Sequence, residues 1–342
     1  MDPITQGALG AACAQTFFGR YSRHIPWQVG ALAGMTADLD IFLGSRSDPM
    51  RIEHWHRHFT HSLTFIPAGA LLSVFLLMLF PYYRKQWGLV IAVSLTAYAT
   101  HGLLDACTSY GTVLLWPWSF SRISWDIVSI IDPWFTVPLI LGTAWSIIHQ
   151  QPQAVRLGLA LAGLFLVFNS VQHQRAIRFV EEYATIHHRR LTHLRAMPEL
   201  ASSTRWRIIA REPPCLFIAT AIVPLWGSNA LIPASPSVLF STRKLPFPLS
   251  AGQQRDLAIF SWFTDNYLIM ANDKPVAIAD GRYTHGFETI VSLWGIALQP
   301  GRPHVRRITG VPVRNYCKRS LKTQSKHQEP LCFRCLAMST KK

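Results

Sequence analysis

The chain is poor in charge. Of its 342 residues, 15% are Asp, Glu, Lys or Arg, against about a quarter in an ordinary soluble domain. Acidic residues are scarcest, 18 against 33 Lys and Arg, which leaves a formal net charge of +15. That balance disfavours a conventional soluble domain and predicts an acidic counterpart, either anionic lipid headgroups or a phosphorylated substrate. A cleavable signal peptide is not visible, because MDPITQGALG is acidic before it is apolar and lacks a basic start. The six cysteines follow no framework spacing, which favours free thiols in a reducing compartment over a disulfide scaffold. No zinc-finger, homeodomain or RNA-binding signature occurs, so no specific nucleic acid is expected as partner.

Apolar residues are abundant, at 49% of the chain, and the mean hydropathy is +0.18. Four runs, 62–80, 87–106, 130–148 and 155–171, come close to the ~20 apolar residues that a bilayer span needs. Two shorter runs, 7–18 and 27–44, suit buried, interfacial or re-entrant helices. The expected fold is mainly α, a polytopic helical membrane bundle of about four spans plus short N-terminal apolar helices, with a small β-rich C-terminal soluble domain. Residues 1–172 form the membrane-embedded part and 173–211 a basic helical linker. The β-rich domain covers 212–310, with strands expected in LAIFSWFTDNYLIMA, PVAIADGRYT and ETIVSLWGIAL. Its Pro-rich stretch 213–248 fits that description poorly. Residues 311–342 read as a basic disordered tail. Cys317, His327, Cys332 and Cys335 contain one CxxC step there, but their irregular spacing argues against a zinc site.

Three polar stretches interrupt the apolar pattern. Asp38 and Asp40 lie in AGMTADLDIFLG, where ionised groups at membrane depth are costly and usually functional. A continuous helix would point them about 200° apart. Either the backbone breaks there or only one faces a site, and a helix cap or Arg partner is the plainer role. HWHRHFTHS supplies His54, His56, His58 and His61, and imidazole is the commonest transition-metal ligand near neutral pH. His56 and His61 are about 500° apart on a helix, so a turn must intervene if both serve one site, with Thr60 or Ser62 capping the span that follows. THGLLDACTSYGT places His101 and Asp105 four apart, on one helical face. That pair can ligate a cation or merely tie two helices by a hydrogen bond. The spans from 62 and to 106 are antiparallel neighbours, so all three stretches converge at one edge of the bundle.

Charge orients that edge. Arg46, Arg51, Arg57, Arg122, Arg175 and Arg178 flank the spans on the motif side, against Arg84, Lys85 and Arg156 on the other. The positive-inside rule then places the site and the C-terminal domain in the cytoplasm.

MDPITQ, TADLD, HRHFTHS, HGLLDACTSYGT and LLWPWS occur in the order seen in the YdjM-type family of inner-membrane metal-dependent hydrolases, and over about residues 1–150 the chain resembles that family. The resemblance implies a bacterial inner-membrane protein with a metal centre. By motif it points to Asp38 and Asp40, to His56, Arg57, Thr60 and His61, and to His101 and Asp105. Many members carry His where Gln6 stands, so a ligand is either missing there or supplied by the amide oxygen; His58 replaces a usual Gly, which either crowds the turn or offers a nearby substitute. The resemblance also implies a cytoplasmic protein partner, since the family has been associated with binding a transcriptional repressor.

The expectation is a membrane-bound hydrolase acting on a lipid-level substrate, a phosphoester in the first instance. Asp38, Asp40, His56, His61, His101 and Asp105 are its metal ligands, for Zn²⁺ or alternatively Mn²⁺. Asp40 serves as proton acceptor, Arg57 as anion stabiliser, and Thr60 belongs to the catalytic set. The alternative is a non-enzymatic inner-membrane scaffold or regulator that binds a cytoplasmic protein. A transporter fits less well, because the polar groups cluster at one edge instead of lining a path.

Overall fold

The computed structural model describes residues 1–45, 47–242, 245–286, 289–314 and 317. Arg46 and most of the tail, including His327, Cys332 and Cys335, lie outside the described residues.

The N-terminal half is helical. Asp2 caps α1 (Pro3–Phe18) by accepting from Thr5 N at 3.0 Å, with Pro3 in the first helical position, where its missing N–H costs nothing. α2 (Ile25–Met35) doubles back against α1. Their backbones nearly touch: a Cβ on Gly10 would stand 2.3 Å from Gly30 O, and one on Gly34 2.7 Å from Gln6 O. Small residues that let backbones approach are the usual glue between helices in lipid. A 3₁₀ helix (Thr36–Leu43), α3 (Arg51–Trp55) and two further 3₁₀ turns lead into α4 (Ile66–Met78). A one-turn helix, α5 (Pro81–Arg84), reverses the chain into the central α6 (Trp87–Ala106), which packs on α1, α2 and α4. An irregular stretch then precedes α7 (Pro133–His149) and α8 (Pro152–Ile186), which pair through Gly142 and Gly158.

Among the described residues, two helices, α6 and α8, are long and apolar enough to cross a membrane. The pair Arg51–His61 and Leu63–Met78, bent by 64°, makes up to three if it is counted as one broken span. At 1.5 Å per residue, α7 is about 26 Å long and α4 about 20 Å, against a hydrocarbon core of ~30 Å. The described helices therefore do not establish the expected four spans.

The segment 173–211 departs from the expected helical linker. α8 runs unbroken to Ile186, and β1 (Thr192–Pro198) and β2 (Arg205–Glu212) follow, so strands begin at residue 192. RWRIIARE alternates with a period of two: Trp206, Ile208 and Ala210 pack with Ala176 and Val180 of α8, while Ile209 faces the opposite way. The antiparallel sheet β1-β2-β3-β4 includes β3 (Cys215–Ile222) and β4 (Ala230–Pro233), and β5 (Ser237–Val238) also pairs with β3. This accounts for the Pro-rich stretch that fitted poorly.

LAIFSWF is helical. It lies in α9 (Ala251–Phe263), started by a capping box in which Ser250 and Gln253 satisfy each other's backbone groups. β6 (Leu268–Asp273), β7 (Val276–Asp280), β8 (Thr284–His285), β9 (Val291–Leu298) and β10 (Arg306–Pro312) form a second antiparallel sheet, ordered β10-β9-β7-β6 with β8 beside β9. The two sheets pack face to face through Ile209, Leu216 and Ile218 against Ile269, Ala277 and Val311. The outer face of the second sheet rests on Leu257, Phe260 and Phe263 of α9. The C-terminal region is thus layered as α8, sheet, sheet, α9.

Cysteine usage also departs from expectation. Cys215 is joined to Cys317 in a disulfide, with Cα atoms 5.9 Å apart, while Cys13 and Cys107 are free. The sequence separation of 102 hides the pair from any spacing argument.

Candidate metal centre

Asp38 and Asp40 reach one site because the helix tightens to 3₁₀ geometry across Thr36–Leu43. The ring of His61 lies between them. Its Nε2 is 3.4 Å from Asp38 Oδ1 and its Nδ1 is 3.3 Å from Asp40 Oδ2. The turn required between His56 and His61 is present: α3 ends at Trp55, Arg57 takes a left-handed φ of 60°, and a 3₁₀ turn covers Phe59–His61. Ser62 then caps the chain by accepting from Phe65 N. Thr60 has another task, donating to Asp40 Oδ2 at 2.8 Å.

His101 and Asp105 lie in the last turns of α6, and both are fully buried. The His61 loop can approach them because residue 102 is glycine; a Cβ there would stand 2.1 Å from His61 O. His61 Nε2 and His101 Nε2 are 3.0 Å apart. Asp105 Oδ2 lies 3.3 Å from His61 Nε2 and 3.6 Å from His101 Nε2, and Asp38 Oδ1 lies 3.5 Å from the latter. Ligand atoms of Asp38, His61, His101 and Asp105 all fall within 4.8 Å of one another. Asp38, Asp40 and His56 form a second such group sharing Asp38.

The outer nitrogens of both rings have acceptors, which leaves the inner nitrogens free to ligate when both imidazoles are neutral. His101 Nδ1 is 2.6 Å from Gly34 O, a carbonyl that can only accept, so Nδ1 carries the proton and the Nε2 lone pair faces inward. His61 Nδ1 faces the Asp40 carboxylate in the same way. Two lone pairs and two carboxylate oxygens thus converge. Ligands on a tetrahedral ion with ~2.0–2.1 Å bonds stand about 3.3 Å apart, and the five separations above run from 3.0 to 3.6 Å. The donor set and its spacing fit a small divalent cation.

Asp40 is held on every side. His56 Nδ1 contacts its Oδ1 at 2.7 Å, and Arg57 N donates to Oδ2 at 3.1 Å. Asp105 is met by Arg57 Nε at 3.2 Å, by Gln6 Nε2 at 2.9 Å and by the buried α-amine of Met1. At position 6 the amide nitrogen therefore faces the cluster. Gln6 Oε1 is buried without a partner. Arg57 also donates to Thr108 at 3.0 Å and lies over the Tyr110 ring.

His54 and His58 are not brought to the cluster. The His58 ring lies among Trp55, Phe120 and Trp262. Sequence reasoning missed Gln6 as a donor, Thr108, Tyr110 and the Gly34 carbonyl; the CTSYGT stretch was the available signal for two of them.

The C-terminal domain roofs this region. Arg122 lies 4.9 Å over the Trp262 ring and 5.3 Å over Tyr110, and burial pushes its guanidinium down to about 10. Arg195 binds Asp126 through two nitrogens at 2.9 and 2.8 Å and Asp265 at 2.8 Å. Burial alone would lower its pKa, but the Asp126 carboxylate holds it above its usual value. Arg307–Glu53 and Arg255–Asp48 add links at 2.9 and 2.7 Å, the first to a buried carboxylate.

A family model described as YdjM inner membrane protein matches residues 1–176. The chain belongs to the YdjM inner membrane protein family. It is a membrane protein, and the matched region contains all of the Asp/His cluster. No curated protein and no solved structure matches the chain. The two sheets and α9 lie beyond the YdjM match.

Proposed function

We propose that this YdjM family member is a membrane-bound metal-dependent hydrolase acting on a lipid-level substrate, with a phosphoester the best fit to the local positive charge. The reading is carried by one observation, the ligand atoms of Asp38, His61, His101 and Asp105 gathered within 4.8 Å of one another, with five of their separations between 3.0 and 3.6 Å. Zn²⁺ suits this mixed nitrogen and oxygen set best, with Mn²⁺ the alternative. A divalent ion there supplies Lewis-acid polarisation and a nucleophile at neutral pH.

The chain's own residues do the rest. His56, backed by Asp40 at 2.7 Å, has the build of a proton acceptor with its orienting carboxylate. Asp40, with both oxygens engaged, suits that orienting role better than a free base. Thr60 positions Asp40, and Arg57 places a guanidinium where negative charge would develop. Asp38 and His56 are the partly exposed members, at 18% and 17% side-chain exposure, and mark the side from which a substrate would enter. The test is a panel of phospholipid and ester-lipid substrates assayed with the wild type, the chelated wild type and Asp105→Asn. Turnover lost in both treated samples supports the reading; turnover unchanged in both refutes it.

A scaffold reading has its own observation. Met1, Gln6 and Arg57 all contact Asp105, so the cluster can tie α1, α6 and the His-rich turn together with His61 as an imidazolium and no cation. A regulator that binds a cytoplasmic protein would then need only the fold, and Asp105→Asn would lose stability while the protein held no metal to lose.

Orientation is a separate proposal. The sequence pattern places the site and the C-terminal domain in the cytoplasm. Two observations favour the reverse. Arg23 donates to the carbonyls of Ile147 and Ile148, which adds the Arg20–Arg23 loop to the positive charge on the far side. The Cys215–Cys317 disulfide suits an oxidising compartment. A C-terminal alkaline phosphatase fusion that is active supports the external orientation, and an inactive one accompanied by a fluorescent green fluorescent protein fusion supports the cytoplasmic one.

A further inference from the structure

We infer that the C-terminal domain has a membrane contact of its own, in which Leu200, Leu225 and Trp226 at two loop tips rest in the lipid headgroup layer of the bilayer that holds the helices. Trp226 is 87% exposed and Leu200 69%. Strand register brings their loops together: Pro198 pairs with Trp206, Arg205 with Ile222, and Ile222 with Ala230. The β1–β2 and β3–β4 connections therefore leave the same end of one sheet.

That end is fastened to α8 where the helix stops facing lipid. The exposed apolar stripe of α8 includes Leu157, Leu161, Leu164 and Val171. The next residue, Gln172, is buried, and its Nε2 donates to Ser203 O at 3.1 Å and Val223 O at 3.3 Å. One turn on, Arg175 donates to Pro224 O at 3.0 Å, in the loop that carries Trp226. On the other side, Ala201 N donates to Ser129 Oγ at 3.1 Å, next to the exposed Ile130 and Ile131. These hydrogen bonds hold the two loops beside the end of the exposed apolar stripe of α8 and beside Ile130 and Ile131. A Trp with an apolar body and a polar N–H is the residue type that concentrates at membrane interfaces. Two Leu and a Trp gathered at one end of a sheet form an exposed apolar patch of the kind that marks an interaction site. Seated there, the tips hold the sheet, and through it α9 and Trp262, at a fixed height over the metal cluster.

Fluorotryptophan-labelled protein in nanodiscs of phosphatidylethanolamine and phosphatidylglycerol tests this directly. The Trp226 resonance is assigned by its loss in Trp226→Phe, whose other resonances report that the fold is intact. Lipid spin-labelled at the headgroup should broaden the Trp226 signal several-fold more than a water-soluble relaxation agent does, as for the exposed Trp134 at the start of α7. Broadening by the soluble agent alone would overturn the proposal. Protection from both agents would also overturn it, since protein, a second copy or another partner, would then cover the tips.

Discussion

Gly102→Ala is the sharpest perturbation available. The added Cβ would stand 2.1 Å from His61 O and 3.1 Å from His61 C, where ordinary contact begins near 3.4 Å. Both atoms are backbone, so no side-chain rotation relieves the clash, and packed interiors yield little. The His61 loop must withdraw by about 1 Å or more to restore contact distance. Leu63 N, which donates to Leu114 O at 3.0 Å, resists that movement. His61 Nε2 would leave a cluster whose spacings span only 3.0 to 3.6 Å. Misplacing a functional group by 1 Å costs on the order of a hundredfold, and cation affinity should fall by at least that. A competitive titration with a fluorescent zinc chelator on detergent-solubilised protein, with circular dichroism as the check on folding, measures it. A folded Gly102→Ala protein with wild-type affinity would refute the claim that close approach of the His61 loop builds the site.

Other outcomes follow from the same contacts. Asp40→Asn should weaken cation binding by about 10- to 100-fold, as expected when an orienting partner behind a ligand is lost, in the same titration. Cation retention should decline as the pH falls, because imidazole binds metal only when neutral and carboxylate only when ionised; equal retention at pH 8 and pH 5 in equilibrium dialysis would contradict this. Cys215→Ser should lower the stability of the C-terminal domain by up to about 4.7 kcal/mol, the chain-entropy figure for a loop of ~100 residues, read by chemical denaturation under oxidising conditions. Under strong reductant the variant and the wild type should unfold alike.

The parts of the fold legible in the sequence were those set by local pattern. The four apolar runs become α4, α6, α7 and α8, the element type that satisfies its own backbone groups without water. His101 and Asp105 share a face by spacing alone, and the awkward 500° between His56 and His61 correctly demanded a turn, which the left-handed Arg57 provides. What escaped depended on tertiary contact or on ambiguous period. RWRIIARE carries three arginines that read as a basic helix, although its apolar residues alternate. LAIFSWF is a short apolar run that fits either period, and the Ser250–Gln253 capping box was the signal that would have decided it. Gly102 looked like any helical glycine until the His61 carbonyl stood over it. The Cys215–Cys317 pair closes across 102 residues, a distance over which sequence carries no geometry.

The central claim, that the Asp/His cluster is a metal site, is tested most directly by metal content. Mass spectrometry on detergent-purified wild type and a His101→Ala/Asp105→Ala double variant makes the comparison, with circular dichroism confirming that the variant folds. The account predicts near-stoichiometric zinc or manganese in the wild type and its loss in the folded variant. A wild type that stays metal-free after reconstitution with either cation would contradict it and leave the four converging acceptors as a structural tie.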